Sequence, residues 1–566
     1  MSASSQDRPT LTRNSWNQNL PRLLWVLLIL GLLIRLVLAF LPLEQLLLLL
    51  EDDAWMVTAI ARNFALGRGI TADGANPTNG FHPLYPLTLG TIPYLFAPDA
   101  LDAGLRVNLI LCAILSALIG LPLFHLTRRF AGEKGALLAV AVYVLNPYFA
   151  RVTVNAMDTS LGLLFLLLVA ERFYALDRQR WLPAFLFGLL GGLAGLARLD
   201  DWILVAFIGL ALFWDFVRQR APFAVVLACA LGIALPALPY FAYNYVVFGS
   251  LFPSSGRALA YMHSYANGFS LTNILHFIFL NPALNLSFLP SMWLALLIAL
   301  LLVIAYFWVL PSMVRRALIP LVGYALVQVL YYAYVQQNSN PRYFVGLGAI
   351  FCLLLGGLYS RLEPHLRTGA LRQGVMAAAL VLAVGLNTLE VVEFYRQHTT
   401  MPQLTQPTIY EAALWVRDNL SEDALLAAKN SGILQYYSGH VVLNIDGKLN
   451  NEIVPVLEQR RLWSYLEEKG VGYLVGRQEA IAGHVALYSQ ELGDWPVHRE
   501  LSVAQRLKIY GRLLFSRFGL AAPPELDDAS GFEPFASFAE EVQIVQAFPR
   551  PNTEVDPVVV YELLRK

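Results

Sequence analysis

The sequence predicts an α-helical polytopic membrane protein with a C-terminal α/β domain outside the bilayer. Three observations carry this. Hydrophobic residues make up 57% of the chain and charged residues only 14%, with a mean hydropathy of +0.54. That balance excludes a water-soluble globule for most of the length. Apolar runs near the length a bilayer demands recur from Leu23 to the region of Val392 and then stop. The remainder has short apolar runs alternating with helical patterns.

Lys and Arg orient the chain under the positive-inside rule. They collect before the first run (Arg8, Arg13, Arg22), at Arg128, Arg129 and Lys134, and at Arg172, Arg178 and Arg180. They recur at Arg218 and Arg220, at Arg315 and Arg316, and at Arg361, Arg367 and Arg372. These groups fall on alternate connections. Spans are expected near 23–43, 103–125, 136–150, 159–172, 182–198, 202–217, 222–247, 290–310, 317–337, 343–360 and 374–394. About eleven crossings put the N-terminus in the cytoplasm and the C-terminal region outside. The expected division is a membrane domain, 1–397, with outer loops 51–84 and 249–289, and an extracytoplasmic α/β domain, 398–566. The first apolar run lacks a small-residue cleavage pattern and is read as a retained span.

In the C-terminal region Tyr410 to Asn419 is patterned as a helix. Ala424 to Ala428, Val441 to Ile445 and Val471 to Val475 are expected strands, with a helix-like Ile433 to Tyr437 between the first two. Asn430-Ser431-Gly432 and Asp446-Gly447 supply turns. Cys112, Cys229 and Cys352 all fall in expected spans, so no disulfide framework is available.

The candidate chemistry starts at Glu51-Asp52-Asp53, directly after the first apolar stretch. Ionised side chains lose hydration near hydrocarbon, so three carboxylates there are costly to keep. A partly desolvated carboxylate beside a second acid has a raised proton affinity, which suits a general base that takes a hydroxyl proton. The competing reading is a helix N-cap. Asp52 and Asp53 would point about 100° apart on a helix, so one acts and the other orients. Arg62, nine or ten residues on, is a partner for the acids or for a phosphate. Asn79 and His82 lie in the rigid Thr78-Asn79-Gly80-Phe81-His82-Pro83 turn, His82 as a structural donor or a catalyst. Asp158 opens the fourth span and Arg198 punctuates the return after the fifth; both pair with charges or meet substrate. Arg257 and Arg342 are candidate grips for a lipid-linked phosphate, or interfacial anchors.

No phosphate-binding P-loop, dinucleotide fingerprint or zinc-protease motif occurs. The energy for a transfer must then arrive with the donor. A divalent cation among the carboxylates stays open, since no ligand spacing demands one, and nucleic acid is not an expected partner.

The chain resembles bacterial membrane glycosyltransferases of the GT-C superfamily. The resemblance rests on Asp52-Asp53-Ala54-Trp55 with Arg62-Asn63, on Thr78 to Leu84, and on Met157-Asp158-Thr159. Ala197-Arg198-Leu199-Asp200, Phe248-Gly249-Ser250, Arg342-Tyr343 and the Ser431 to Asn450 segment add to it. It implies a hexosyl- or pentosyltransferase of the cell envelope that moves a sugar, with inversion, from a polyprenyl-phosphate donor to an extracytoplasmic glycan, lipid or protein. Asp52 is the first choice for the base and Asp53 the second, in an enzyme of the bacterial inner membrane. The overall arrangement is similar to arabinofuranosyl- and mannosyltransferases. Trp55 stands where related members often have Tyr, and Asp158 where many have Glu. The alternative is a flippase of lipid-linked saccharides, which predicts interrupted helices with polar residues at the midplane.

Overall fold

The computed structural model describes residues 20–267, 312–335, 341–400, 405–492, 536–550 and 553–564. The expected span at 290–310 lies outside them. Two compact units result: Met1–Pro253 with Ser270–Gln403, and Ser254–Phe269 with Leu404–Lys566.

The first unit is built from helices whose outward faces are apolar. On Arg22–Ala39 the exposed positions after Arg22 are Leu23, Trp25, Val26, Ile29, Leu30, Leu33 and Val37, while Arg35 is fully buried. This inverts the polarity of a soluble helix and marks the exposed face as lipid-facing. Among the described residues four helical stretches are by length and composition sufficient to cross a bilayer: Arg22–Ala39, Leu101–Leu145, Phe223–Phe248 and Arg342–His365. Trp181–Ala197, Leu318–Gln328 and Gly369–Val381 are apolar but shorter. The unit is a helical membrane protein.

The 101–145 stretch contains a sharp break. Ile119 is helical, so the chain runs from Leu101–Leu118 straight into the next helix, until Gly132 at φ 66° interrupts it. Arg128, Arg129 and Lys134 flank that turn, where a polar connection between two spans was expected. Arg35 closes the far end of the same helix. Its guanidinium donates to the Val144 carbonyl at 2.7 Å, the Tyr143 carbonyl at 3.3 Å and Ser116 Oγ at 2.6 Å. A charge buried among helices is tolerable because the terminal carbonyls need donors that lipid cannot supply.

Glycines set the closest helix crossings. A Cβ on Gly356 would lie 2.4 Å from the Gly135 carbonyl oxygen, and one on Gly135 would lie 2.6 Å from that of Gly356. Gly188 and Gly192 stand equally close to Cys229 and Ile233, so Trp181–Ala197 and Phe223–Phe248 meet through small residues, as membrane helices commonly do. Gly356→Val is expected to destabilise the helix bundle by about 1–3 kcal/mol or more, because backbone and not a flexible side chain must move. A lowered melting transition of the detergent-solubilised protein checks this.

The second unit carries a five-stranded sheet of order β2-β1-β3-β5-β4, from β1 (Leu426–Ala428), β2 (Val442–Asn444), β3 (Tyr473–Arg477), β4 (Val542–Arg550) and β5 (Thr553–Leu563). β1 is parallel to both β2 and β3, while β5 is antiparallel to β3 and β4. The first three strands and the helix Gly432–Tyr437 sit where the apolar pattern put them. The β4–β5 hairpin did not stand out in the sequence, since Pro557 interrupts one strand and bulges interrupt the other. The Ser254–Asn267 helix belongs to this unit; Ala258 joins its core and Tyr261 packs against it.

Candidate active site

Asp52–Ala65 forms a helix whose N-cap is Glu51. Asp52 and Asp53 therefore occupy its first turn and not the cap position, where the helix dipole favours negative charge. Asp52 is buried, and the Asp53 side chain is 23% exposed.

Arg342 joins this turn to two other elements. It sits in the short 3₁₀ turn Pro341–Phe344, pairs with Asp53 Oδ2, and lies 2.9 Å from Glu51 Oε2. The nitrogen facing Glu51 also reaches Met157 Sδ at 3.2 Å, and the guanidinium stacks over the Tyr343 ring. The side chain is a fixed cation.

Beside it is a second charged cluster. Asp158 precedes the Thr159–Ala175 helix, but its carboxylate turns to Arg198 (3.0 Å) and does not cap. The other arm of Arg198 holds Asp200 at 2.9 Å. The Leu199 N–H donates to His82 Nδ1 at 2.9 Å, so the imidazole proton sits on Nε2, which is 3.9 Å from Asp158 Oδ2. Burial lowers the His82 pKa, with Asp158 opposing and Arg198 adding to the effect, so the ring is neutral near pH 7. Arg342 also contributes to the field at His82, which makes the two clusters neighbours. Asp201, next in the chain, is buried, and its carboxyl is pushed well above the usual carboxylate range by desolvation.

The link between the clusters is the turn Val154–Asp158. Ala156 adopts φ 55°, a conformation that costs an L-residue about 1–2 kcal/mol. Asn155 secures the turn, accepting from the Met157 N–H at 3.2 Å and donating to Thr159 at 3.0 Å. This presents Met157 to Arg342 while Asp158 faces Arg198.

A small cleft of about 20 Å³ opens here, lined by Leu49, Glu51, Arg151, Val152, Asn155, Met157 and Arg342. Two arginines and one carboxylate on a small apolar frame suit an anionic headgroup with an attached hydrocarbon. Arg151 escaped the sequence reading. An arginine on the expected outer side runs against the positive-inside rule, and that exception is the signal that marks it.

The remaining expected site residues make contacts of their own. Arg62 donates to the Pro98 carbonyl at 2.7 Å and pairs with exposed Asp99 at 3.1 Å. Asn79 is fully buried in its turn. Arg257 belongs to the second unit, where it pairs with Glu458 at 2.6 Å. Among the described residues no group of three or more His, Cys, Asp or Glu side chains could hold a metal ion.

Residues 94–240 match the family described as dolichyl-phosphate-mannose-protein mannosyltransferase, and residues 392–518 match a domain of unknown function. The sequence matches no curated protein. In fold the chain is similar to ArnT from Cupriavidus metallidurans, solved bound to undecaprenyl phosphate, at 16% identity and TM-score 0.53, over 81% of this chain and 93% of that one. The apo form of ArnT gives a TM-score of 0.54 over the same shares. It is also similar to the oligosaccharyltransferase AglB from Archaeoglobus fulgidus, solved with an inhibitory peptide and a dolichol-phosphate, at 14% identity and TM-score 0.51, over 84% and 72% of the two chains. The family match thus falls within the helical unit, and the fold over most of the chain is similar to those of ArnT and AglB.

Proposed function

We propose that the chain is an inverting glycosyltransferase that moves one pentose or hexose from a polyprenyl phosphate to an acceptor hydroxyl on the outer face of a bacterial inner membrane. The single observation that carries the reading is Arg342, which lines the pocket and at the same time holds Asp53 and Glu51.

The donor phosphate sits between Arg342 and Arg151, with its isoprenoid chain leaving toward lipid. A phosphate competes with the two carboxylates for Arg342, and the guanidinium fork suits a phosphate. As Arg342 turns to the donor, Asp53 loses its counter-charge and its proton affinity rises. Asp53 then takes the proton of the acceptor hydroxyl. The hydroxyl oxygen attacks the anomeric carbon from the face opposite the phosphate, the bond to the phosphate oxygen breaks, and polyprenyl phosphate departs held by the two arginines. The exposure of Asp53 and its contact with Arg342 favour it over the more deeply buried Asp52, which the sequence ranked first. His82, Asp158, Arg198 and Asp200 fix the rear wall. Arg62, Asn79 and Arg257 act outside this step, as supports of their own elements.

A flippase reading calls for polar interruptions at mid-span, whereas the charged clusters here sit at helix ends. Offering the purified protein a panel of polyprenyl-phosphate pentoses and hexoses tests the proposal. One donor is expected to be consumed with release of polyprenyl phosphate. Consumption of none, in the presence of a bacterial lipid and glycan extract as acceptor, would overturn it.

A further inference from the structure

The Ser431 to Asn450 segment builds one edge of the sheet in the second unit. β1 leads through the Gly432–Tyr437 helix to β2 on one side, and β2 leads through Ile453–Glu458 and Leu462–Glu468 back to β3 on the other side of β1. Successive connections thus run in opposite directions, and the strand order reverses between β1 and β3. In open parallel sheets such a reversal opens a crevice at the carboxyl ends of the strands, and ligands bind there.

The residues at those ends are cationic. Lys429 follows β1, Lys448 comes four residues after β2, and Arg477 ends β3. Asp446 and Asp556 are the carboxylates among them. Asp446 Oδ2 is 3.8 Å from Lys448 Nζ, and Asp556 is shared between Arg477 at 2.7 Å and Arg550 at 3.6 Å. Among the described residues no carboxylate lies within ion-pair distance of the Lys429 ammonium. That group is half-buried, and desolvation first, then Lys448 and Arg477, lower its pKa against the pull of Asp446. His484, pushed down to about 3 by burial and Lys429, adds no compensating charge.

The backbone around this edge is held firmly. Asn444 Nδ2 donates to the Lys429 carbonyl and to Ser431 Oγ, both at 3.2 Å, and Asp446 Oδ1 accepts from the Lys448 N–H at 3.0 Å. Gly447, at φ 79°, makes the turn that brings Lys448 beside Asp446. Positions are therefore fixed before any ligand arrives, which lowers the ordering cost of binding.

We propose that this carboxyl edge is a binding site for a small anionic ligand, a phosphate or a carboxylate carried on a sugar, seated between Lys429, Lys448 and Arg477. This proposal stands whether or not the transfer reaction is as described.

Calorimetric titration of the full chain in detergent tests it, with glucose 6-phosphate, glucuronate and neutral glucose as probes. Saturable binding of at least one charged sugar is expected, and none of glucose; which charged sugar binds tells phosphate from carboxylate. Lys429→Gln is expected to weaken that binding about 10-fold or more, Lys429→Arg to preserve most of it, and Arg417→Gln, which removes an exposed charge elsewhere in the unit, to leave it unchanged. Lys448→Gln serves as the second variant should Lys429→Gln melt early. Charged sugars binding no better than glucose, or equal losses in the Arg417 and Lys429 variants, would overturn the proposal.

Discussion

Asp53→Asn is expected to lower the rate of sugar transfer by about 10²–10⁴-fold, the range for loss of a positioned general base. The substitution keeps the size and most contacts of the side chain but removes its capacity to accept a proton. Binding of the donor is expected to hold or tighten, because Arg342 loses one of the two carboxylates that compete with the phosphate for it. Asp52→Asn is the comparison: Asp52 is one residue away and more deeply buried, so its effect is expected to be smaller. Initial rates at saturating donor, with lipid binding measured separately, distinguish the two. Equal and small effects of both substitutions would remove the carboxylates from the chemistry.

Arg342→Gln has the second largest expected effect, and it should appear first in donor binding. The side chain is buried, and its loss leaves Glu51 and Asp53 without their shared cation. Truncating one partner of a buried charge pair costs about 2–5 kcal/mol, so the donor KM is expected to rise about 10²-fold. The pH profile should move as well. A carboxylate that loses a neighbouring cation and keeps an acidic neighbour binds its proton more tightly, so its pKa rises. The deprotonated base is then lost at a higher pH, and the acid limb of the rate profile shifts upward. Arg342→Lys keeps the charge without the planar fork and should restore the pH profile more fully than the affinity. A KM unchanged in Arg342→Gln would mean that the donor phosphate is held elsewhere.

Much of this arrangement is legible in the sequence because membranes impose strong periodicities. Long apolar runs, basic groups on alternate connections and an acidic triplet at a run's end mark the helices and one side of the site without knowledge of any contact. Arg198 and Asp158 are recognisable as charges that need partners, and each supplies the other's. What the sequence does not carry is which distant loops meet. Arg342 is 289 residues from Asp53, and no local pattern announces that they touch. Arg62 and Arg257 look in sequence like further grips, but each pairs with a carboxylate of its own unit, Asp99 and Glu458. The left-handed Ala156 has the same origin: tertiary packing over-determines a backbone that local preference opposes. In the second unit the three parallel strands follow from short apolar runs. The hairpin completing the sheet is obscured by Pro557 and by bulges.

The central claim is that a lipid-phosphate pocket beside Asp53 breaks the bond between sugar and phosphate. In proteoliposomes carrying the labelled donor, a single-turnover experiment that counts released polyprenyl phosphate and reads the anomeric configuration of the product by NMR tests it most directly. One polyprenyl phosphate freed per sugar transferred, with the configuration inverted and the reaction lost in Asp53→Asn, is the expected result. Donor that crosses the bilayer intact, with no polyprenyl phosphate released, would contradict it.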